Sequence, residues 1–503
     1  MESLQVPKLI DYKTILIKKS FSPNDYKAFF IKNKNIKKVS ELILGKIKKG
    51  EEVGSFAYLH KSNVFFVRAK ALNEDRFLPD FEDAECAVPI LPHTFVEFDL
   101  RKGDILLSKD SNIGEVAILS TDAPNFMLSG ALFRLRFNPK FIYYIFSFLK
   151  TSFFKNQINA MTSKGATIKH AGTTWLNAVI PFPNQKNYDD VIIFISLLIK
   201  AIIRKEAEIK NKYNKIIEMI DQELKENQLP TKFNYSYPSI NELLKMNKRI
   251  DAGLFCSDYK KTQFIISNYK NGSIKISDSE FNYKRGQNLQ ISGIGKSIYS
   301  TQLKLNFYKL IRPLNLSDYG TITKYEYLGN KNELQTLENG EIILSGEGTV
   351  GKFTIILNQE EKLITNIHGI TFYSKNKVNL FENIFLGLFF GYLRHVGILD
   401  HVSVGGQGGS LSGSWDNYIN IPNFDVKLKK ELAALYYSKF EYDDKNLNLS
   451  GFENEDLKIT DKEGIYQLDS KIKLLKMKIN YLINLIINDE EINISFDFLS
   501  RLN

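Results

Sequence analysis

Two long stretches of the chain place an isoleucine at every seventh residue. One stretch covers residues 185–227 and the other lies near the C-terminus, where leucines fill the positions between the isoleucines. The stripe positions are Ile195, Ile202, Ile209 and Ile216 in the first stretch, and Leu468, Ile472, Leu475, Ile479, Leu482 and Ile486 in the second. Glu206 is the exception in the first stripe. Each pattern predicts a long amphipathic helix that needs an apolar partner, and the simplest partner is the other helix, in an antiparallel coiled coil.

Shorter apolar runs lie outside the long helices and predict strands followed by an apolar helix. The first set predicts strands at 104–108, 115–119 and 131–137 and a helix at about 140–159. The second set predicts strands at 341–345, 352–357 and 369–373 and a helix at 380–396. Short strands mixed with helices in this way indicate a fold of the α+β class.

The two sets are copies of one another. Gly103–Ser108 returns as Gly340–Ser345, 237 residues later, and Gly165…Trp175 returns as Gly405…Trp415 at an offset of 240. A Pro-containing strand closes each copy, and a helical region follows it. Two globular units alternating with two helical regions predict an internal pseudo-twofold, which suits a reader of a two-part target better than an enzyme with one site.

These patterns set the expected domain boundaries. The first globular domain is expected at 1–184, its helical region at 185–229, the second globular domain at 230–425 and the second helical region at 426–503. Pro230 ends the first helical region, because proline cannot continue a helix. An Asp-, Glu-, Asn- and Gly-rich segment at 441–464 interrupts the second helical region and predicts an exposed loop or mobile insertion.

Charge adds a hint about the partner. The net charge of the chain is +10, made up of about +8 in residues 1–230, +7 in 231–440 and −5 in 441–503. Two basic globular domains suit a polyanion, although a low-GC genome can also give a Lys-rich composition. Two isolated cysteines indicate neither a disulfide framework nor a zinc site, and no signal sequence or membrane span is expected. The predicted location is the cytoplasm.

One motif is misleading. Gly346–Lys352 resembles a phosphate-binding loop, but Phe353 takes the place of the Mg²⁺-binding hydroxyl and the chain continues as a strand rather than a helix. In the first copy only Gly114 is retained, at the position of Gly351, as a strand-turn-strand hairpin requires. No motif of an amino-methyltransferase or a metal-dependent nuclease is evident. The loose pair His395 and His401 is interpreted as structural, so no catalytic residue and no metal ligand is predicted.

Polar, glycine-spaced loops remain as candidates for contacts with double-stranded DNA. Lysine suits guanine or phosphate, glutamine suits adenine, and glycine lets the backbone approach a duplex. Closing the domain is the competing role for each loop. The candidate DNA-binding residues are Lys109, Ser111, Asn112, Lys164, Thr167, Lys169, His170, Lys352, Gln407, Ser410 and Ser412.

With its repeated Gly-Asp-Ile-Leu-Leu-Ser and Gly-Glu-Ile-Ile-Leu-Ser strands, Pro-containing closing strands and heptad helices, the chain resembles the specificity (S) subunit of type I restriction-modification systems. The resemblance implies two target recognition domains, each reading one half of a bipartite DNA site. It implies that the helices fix the spacer and dock two methyltransferase subunits, with restriction subunits joining in the full complex of a phage-defence system. It also implies a non-catalytic chain without a cofactor of its own, since S-adenosylmethionine belongs to the methyltransferase subunit. Two other hypotheses stay open: a divergent DNA nuclease, and a coiled-coil adaptor that binds no DNA.

Overall fold

The computed structural model of the chain describes residues 4–5, 9–18, 21, 28–110, 112–161, 172–245, 249–357, 362–375, 379–405, 409–411 and 415–502. They fall into two units. Unit 1 comprises 1–208, 440–462 and 468–503, and unit 2 comprises 209–439 and 463–467. Both are mixed α+β structures built around β-sheets. No helix within the described residues is long and apolar enough to cross a membrane.

Unit 1 begins with eleven short strands and four helices. The strands are β1 (Leu4–Gln5), β2 (Ala28–Phe29), β3 (Ile36–Lys38), β4 (Lys48–Lys49), β5 (Phe65–Val67), β6 (Ala87–Pro89), β7 (Ile105–Ser108), β8 (Val116–Ile118), β9 (Phe126–Leu128), β10 (Leu132–Leu135) and β11 (Val179–Pro181). The helices are α1 (Tyr12–Lys18), α2 (Val39–Leu42), α3 (Ile142–Leu149) and α4 (Ser152–Met161). The apolar helix expected at about 140–159 is therefore divided in two.

The strands of unit 1 form several small sheets. One has the order β4-β10-β7-β8, a second has the order β6-β5-β9, and β11 pairs with β3. β5 and β9 are parallel, whereas the other pairs in these sheets are antiparallel. Buried aliphatic and aromatic side chains between Phe66 and Leu132 form the core beneath the three-stranded sheet.

The helix α5 (Tyr188–Glu226) contains 39 residues, about 58 Å at 1.5 Å per residue. Unit 2 follows with α6 (Ile240–Lys245), α7 (Ala252–Phe255), α8 (Ser257–Ser267), α9 (Ile291–Ile294), α10 (Leu380–His395), α11 (Ile398–Val402) and α12 (Val426–Tyr436). Its strands are β12 (Ser273–Lys275), β13 (Phe281–Arg285), β14 (Ser297–Ser300), β15 (Tyr308–Ile311), β16 (Glu326–Asn330), β17 (Ile342–Ser345), β18 (Phe353–Ile355), β19 (Leu363–Thr365), β20 (Gly369–Ser374) and β21 (Asn420–Pro422). The last helices are α13 (Phe452–Lys462) and α14 (Ile465–Ile487).

The topology of unit 2 repeats that of unit 1. Its sheets have the orders β13-β20-β17-β18 and β14-β16-β15-β19, with β12 paired to β21. β15 and β19 are parallel, like β5 and β9. Among the described residues of unit 1, the three-stranded sheet contains no counterpart of β14, which lies at the edge of its sheet in unit 2. The repeat therefore extends into the N-terminal part of each domain, where the two sequences align poorly.

The register of the ladders repeats as well. Ile105 pairs with Ile118 and Ser108 with Leu132 in unit 1, while Ile342 pairs with Ile355 and Ser345 with Gly369 in unit 2. The turn between β17 and β18 confirms the hairpin predicted in place of a phosphate-binding loop. Gly114 in the β7–β8 turn and Gly351 in the β17–β18 turn both have a positive φ, of 81° and 86°.

The two heptad stripes are buried, as predicted, and no stripe residue named above is more than 5% exposed. The helices α5 and α14 are in contact and run in opposite directions. In unit 1, Lys476 Nζ on α14 lies 3.4 Å from Glu206 Oε1 on α5. The side chain of Gln185, just before α5, accepts a hydrogen bond at 2.8 Å from the N–H of Ile492, just after α14. The paired helical regions predicted from the heptads are therefore confirmed.

Glu206, the polar residue in the stripe, has a defined role. Its Oε2 accepts the backbone N–H groups of Phe77 and Leu78 at 2.7 and 3.1 Å, and its other oxygen faces Lys476. A carboxylate that satisfies two buried N–H donors stabilises the loop that carries them. Glu206 thus ties α5 to a loop of the β-domain and to α14.

The segment 441–464 differs from the prediction of an exposed loop. Its second half forms α13, in which Phe452, Asp456, Ile459 and Thr460 are buried. Cations of α5 face the acidic side of this helix: Arg204 Nη1 lies 3.0 Å from Asp456 Oδ2, and Lys205 pairs with the other oxygen. Two of the acidic residues of this segment, Glu453 and Asp456, therefore supply partners for cations of α5.

Candidate nucleic-acid interface

The candidate DNA-binding residues of the first copy lie around the β7–β8 turn. Lys109 is half-buried, with 16% of its side chain exposed, and it pairs with Asp110. Its N–H donates to the carbonyl of Ala131 at 2.9 Å. Asn112 is exposed and its carbonyl accepts the Glu115 N–H at 3.0 Å. Asn112 therefore offers its side chain to an external partner, whereas Lys109 is already neutralised.

Seven candidates lie outside the described residues. They are Ser111, Lys164, Thr167, Lys169, His170, Gln407 and Ser412. Of the eleven candidates, the structure describes Lys109, Asn112, Lys352 and Ser410.

Lys352, at the start of β18, belongs to a cluster of charges within unit 2. Its Nζ lies 3.0 Å from Asp318 Oδ1, which Arg394 also contacts at 3.0 Å. Only 18% of the Lys352 side chain is exposed. This pairing favours a structural contribution, since the charge that would meet a phosphate already has a carboxylate beside it.

The first copy builds the same cluster with the charges exchanged. Glu115 occupies the position of Lys352 and pairs with Lys155, while Lys150 Nζ lies 3.7 Å from it. Burial lowers the pKa of Lys150 to about 8, against the opposing effect of Glu115. At this position the two copies therefore carry side chains of opposite charge, Glu115 and Lys352. Each is paired with groups of the other sign, as expected of a structural cluster.

The glycine-rich loop of the second copy packs on the β17–β18 turn. Gly348 N–H donates to Gly409 O at 3.1 Å, and Leu411 N–H donates to Gly346 O at 2.8 Å. Ser410 and Val404 exchange backbone hydrogen bonds at 2.8 and 2.9 Å, which closes the loop on itself. The glycine-rich loop, selected from the sequence for its polarity, therefore forms one surface with the β17–β18 turn.

Three side chains that the sequence did not single out lie on this surface. Arg285 at the end of β13 places Nη1 3.3 Å from Glu347 Oε1, and Glu347 Oε2 forms a hydrogen bond with His368 Nδ1. Arg285 also donates to the carbonyls of Ile367, at 3.4 Å, and Leu411. The exposed side-chain fractions of Arg285, Glu347 and His368 are 37%, 38% and 49%. We call these three residues the Arg285 cluster.

The strand register identifies the equivalents of the cluster in unit 1. Arg285 pairs across the ladder with Ile370 as Lys49 pairs with Phe133, so Lys49 takes the place of Arg285. Asp110 takes the place of Glu347, because Ser108 and Ser345 donate to the carbonyls of these residues at 2.8 and 3.2 Å. Ala131 takes the place of His368. The same backbone surface therefore presents different chemistry in the two units.

Within the described part of the chain, no group of three or more His, Cys, Asp or Glu side chains could hold a metal ion. His401 instead lies beside the thiol of Cys256, with Nδ1 3.8 Å from Sγ. The second cysteine, Cys86, is buried, and burial raises its thiol pKa to about 12.

Comparisons with known proteins show similarity in structure. No family model matches the sequence, and no curated protein matches it. A type I restriction-modification S subunit from M. genitalium covers 92% of this chain and 96% of its own, at 15% identity and a TM-score of 0.35. An HsdS subunit from Thermoanaerobacter tengcongensis covers 91% and 97%, at 11% identity and a TM-score of 0.26.

A chain from a structural study of complex assembly and conformational transition of the type I R-M system covers 90% and 97%, at 10% identity and a TM-score of 0.27. Over more than nine-tenths of its length, the chain is similar in structure to S subunits of type I restriction-modification systems.

Proposed function

We propose that this chain is the DNA sequence-recognition subunit of a type I restriction-modification complex and has no catalytic role of its own. Each unit reads one half of a bipartite double-stranded DNA site. The paired helices fix the unspecified spacer and dock two methyltransferase subunits, which bind S-adenosylmethionine, and restriction subunits join the full complex.

The observation that carries this proposal is the repeat of the ladder register with different side chains on the turns. Two domains with the same scaffold and different polar surfaces suit two different half-sites, because bases are read by side chains whereas the scaffold only positions them. The excess of basic residues in both halves of the sequence suits a phosphate backbone.

The test is sequencing that detects modified bases in cells expressing this chain with its methyltransferase subunit. We expect methylation at a bipartite motif with full-length protein, and loss or change of that motif when residues 230–425 are deleted. Methylation that is unchanged by the deletion would contradict the proposal. Metal-dependent cutting by the isolated chain would favour the nuclease hypothesis instead.

The helical spacer gives a second prediction. Inserting seven residues in α5 and seven in α14 preserves the heptad phase and lengthens each helix by about 10 Å, or about three base-pair steps. We expect the same two half-sites with a spacer longer by about three base pairs, measured by the same sequencing. As a control, seven residues inserted at the turn around Asn448 lengthen the chain but not the helices. A spacer that stays constant in the helix variant would show that α5 and α14 do not set it.

A further inference from the structure

We propose that Arg285 reads a guanine in the half-site of unit 2, and that Glu347 and His368 position it. This inference rests on the proposed function and names the residue and the base through which unit 2 achieves specificity. The alternative role for Arg285 is a structural link between the glycine-rich loop and the β17–β18 turn.

The first step is the geometry of the guanidinium. Arg285 donates to three acceptors from three segments: Glu347, the Ile367 carbonyl and the Leu411 carbonyl. A guanidinium has five N–H donors, so two remain without a partner among the described residues. Two N–H groups are what a bidentate contact with guanine O6 and N7 requires.

The second step is preorganisation. A free arginine loses rotamer entropy when it is fixed, and this cost weakens binding. Here Glu347 and two backbone carbonyls fix the side chain before any ligand arrives, while more than a third of it remains exposed. His368 occupies the second oxygen of Glu347 and so directs the first oxygen toward Arg285.

The third step is the surrounding surface. Gly348 and Gly409 lie on the turn and the loop beside the cluster, and at these two positions no side chain holds a duplex away from the backbone. A planar guanidinium held in place beside these glycines suits the edge of a base. A phosphate does not require such a donor, because a mobile lysine binds it equally well.

The comparison between units supports a role in specificity. In unit 1 the three positions are taken by Lys49, Asp110 and Ala131. That unit therefore has neither a guanidinium nor a histidine beside the carboxylate. A residue needed only to close the fold would be expected in both units, since the ladders have the same register. At these three positions the units differ in their side chains, while the ladder register is the same.

The experiment is selection of the full-length chain against a random double-stranded DNA library of about 40 base pairs, followed by sequencing of bound DNA. We expect the wild-type protein to enrich a bipartite motif with a guanine in one half that is preferred about ten- to hundredfold. Arg285→Ala should retain the rest of the motif and lose the preference at that one position. Glu347→Gln should weaken that preference partly. Lys284→Ala, one residue earlier on β13, is the matched control and should leave the motif unchanged.

Each outcome has one meaning. If the wild-type chain enriches no motif, the proposed function fails. If it enriches a motif that Arg285→Ala leaves unchanged, only the assignment of Arg285 is wrong. If Arg285→Ala abolishes all binding, Arg285→Lys decides: a restored motif with the original guanine preference would make Arg285 a phosphate contact or a structural link, whereas restored binding without that preference supports the inference. Thermal unfolding of each variant verifies that unit 2 remains folded.

Discussion

Replacing Asp456 with alanine is expected to destabilise unit 1 by about 3–5 kcal/mol, because it leaves a buried ammonium without its counter-charge. Lys205 and Asp456 are both fully buried and form an ion pair. Asp456 also accepts from Arg204 Nη1 at 3.0 Å and from the Tyr442 hydroxyl at 2.7 Å. Among the described residues, Lys205 also donates to the Thr460 hydroxyl at 2.9 Å and lies over the Tyr442 ring, and neither group can replace a carboxylate.

The measurement is equilibrium unfolding of the full chain by denaturant or heat. Glu453→Ala is the matched control, since Glu453 lies on the same helix and pairs with Lys200 of α5 at 3.2 Å, but 42% of its side chain is exposed. Its loss should cost at most about 1 kcal/mol. A double variant, Lys205→Met with Asp456→Ala, should recover part of the stability, because the ammonium is no longer buried. Equal losses for Asp456→Ala and Glu453→Ala would contradict this account of α13.

Alanine at Gly286 is expected to destabilise unit 2 by about 3 kcal/mol, and alanine at Gly50 is expected to do the same in unit 1. A Cβ at Gly286 would overlap the backbone carbonyl of Asn366, and one at Gly50 would overlap that of Ser129. Both glycines also donate their N–H to the neighbouring strand, to Gly369 and Leu132, at 2.9 Å. The backbone cannot retreat without breaking those hydrogen bonds.

For units of this size, the loss corresponds to a fall of about 6–12 °C in Tm, measured by calorimetry. Gly397→Ala is the control, because a Cβ there meets nothing within 4 Å and the cost is limited to a positive φ of 76°, about 1–2 kcal/mol. If Gly286→Ala were tolerated as well as Gly397→Ala, the close approach of the two backbones would not be a requirement of the repeat.

Local patterns predicted much of this fold. The first helix was expected at 185–227 and spans Tyr188–Glu226, and the strand predicted at 341–345 spans Ile342–Ser345. Heptads and short apolar runs are local signals, so the sequence carries them directly. The break after α3 was not foreseen, because the side chains on either side of it continue an apolar pattern.

The segment 441–464 and the Arg285 cluster depend on distant partners. Asp456 is buried because Arg204 and Lys205 lie opposite it, some 250 residues earlier in the chain. Arg285 comes from the end of β13 and Glu347 and His368 come from two separate turns, and only the paired ladders bring them together. No spacing rule within one segment could have found either group, although the internal repeat could have directed attention to positions where the two copies differ.

The identical register of the two sheets has a consequence for evolvability. Strand pairing is satisfied by backbone atoms and buried aliphatic side chains, whereas Glu347 and His368 lie on turns and Arg285 stands at the end of β13, all three with partly exposed side chains. Mutations on those turns leave the ladders intact, so their expected cost in folding free energy is small. A lineage carrying this protein can therefore explore new turn residues in one unit while the other keeps its old ones, with little risk of losing the fold during the transition.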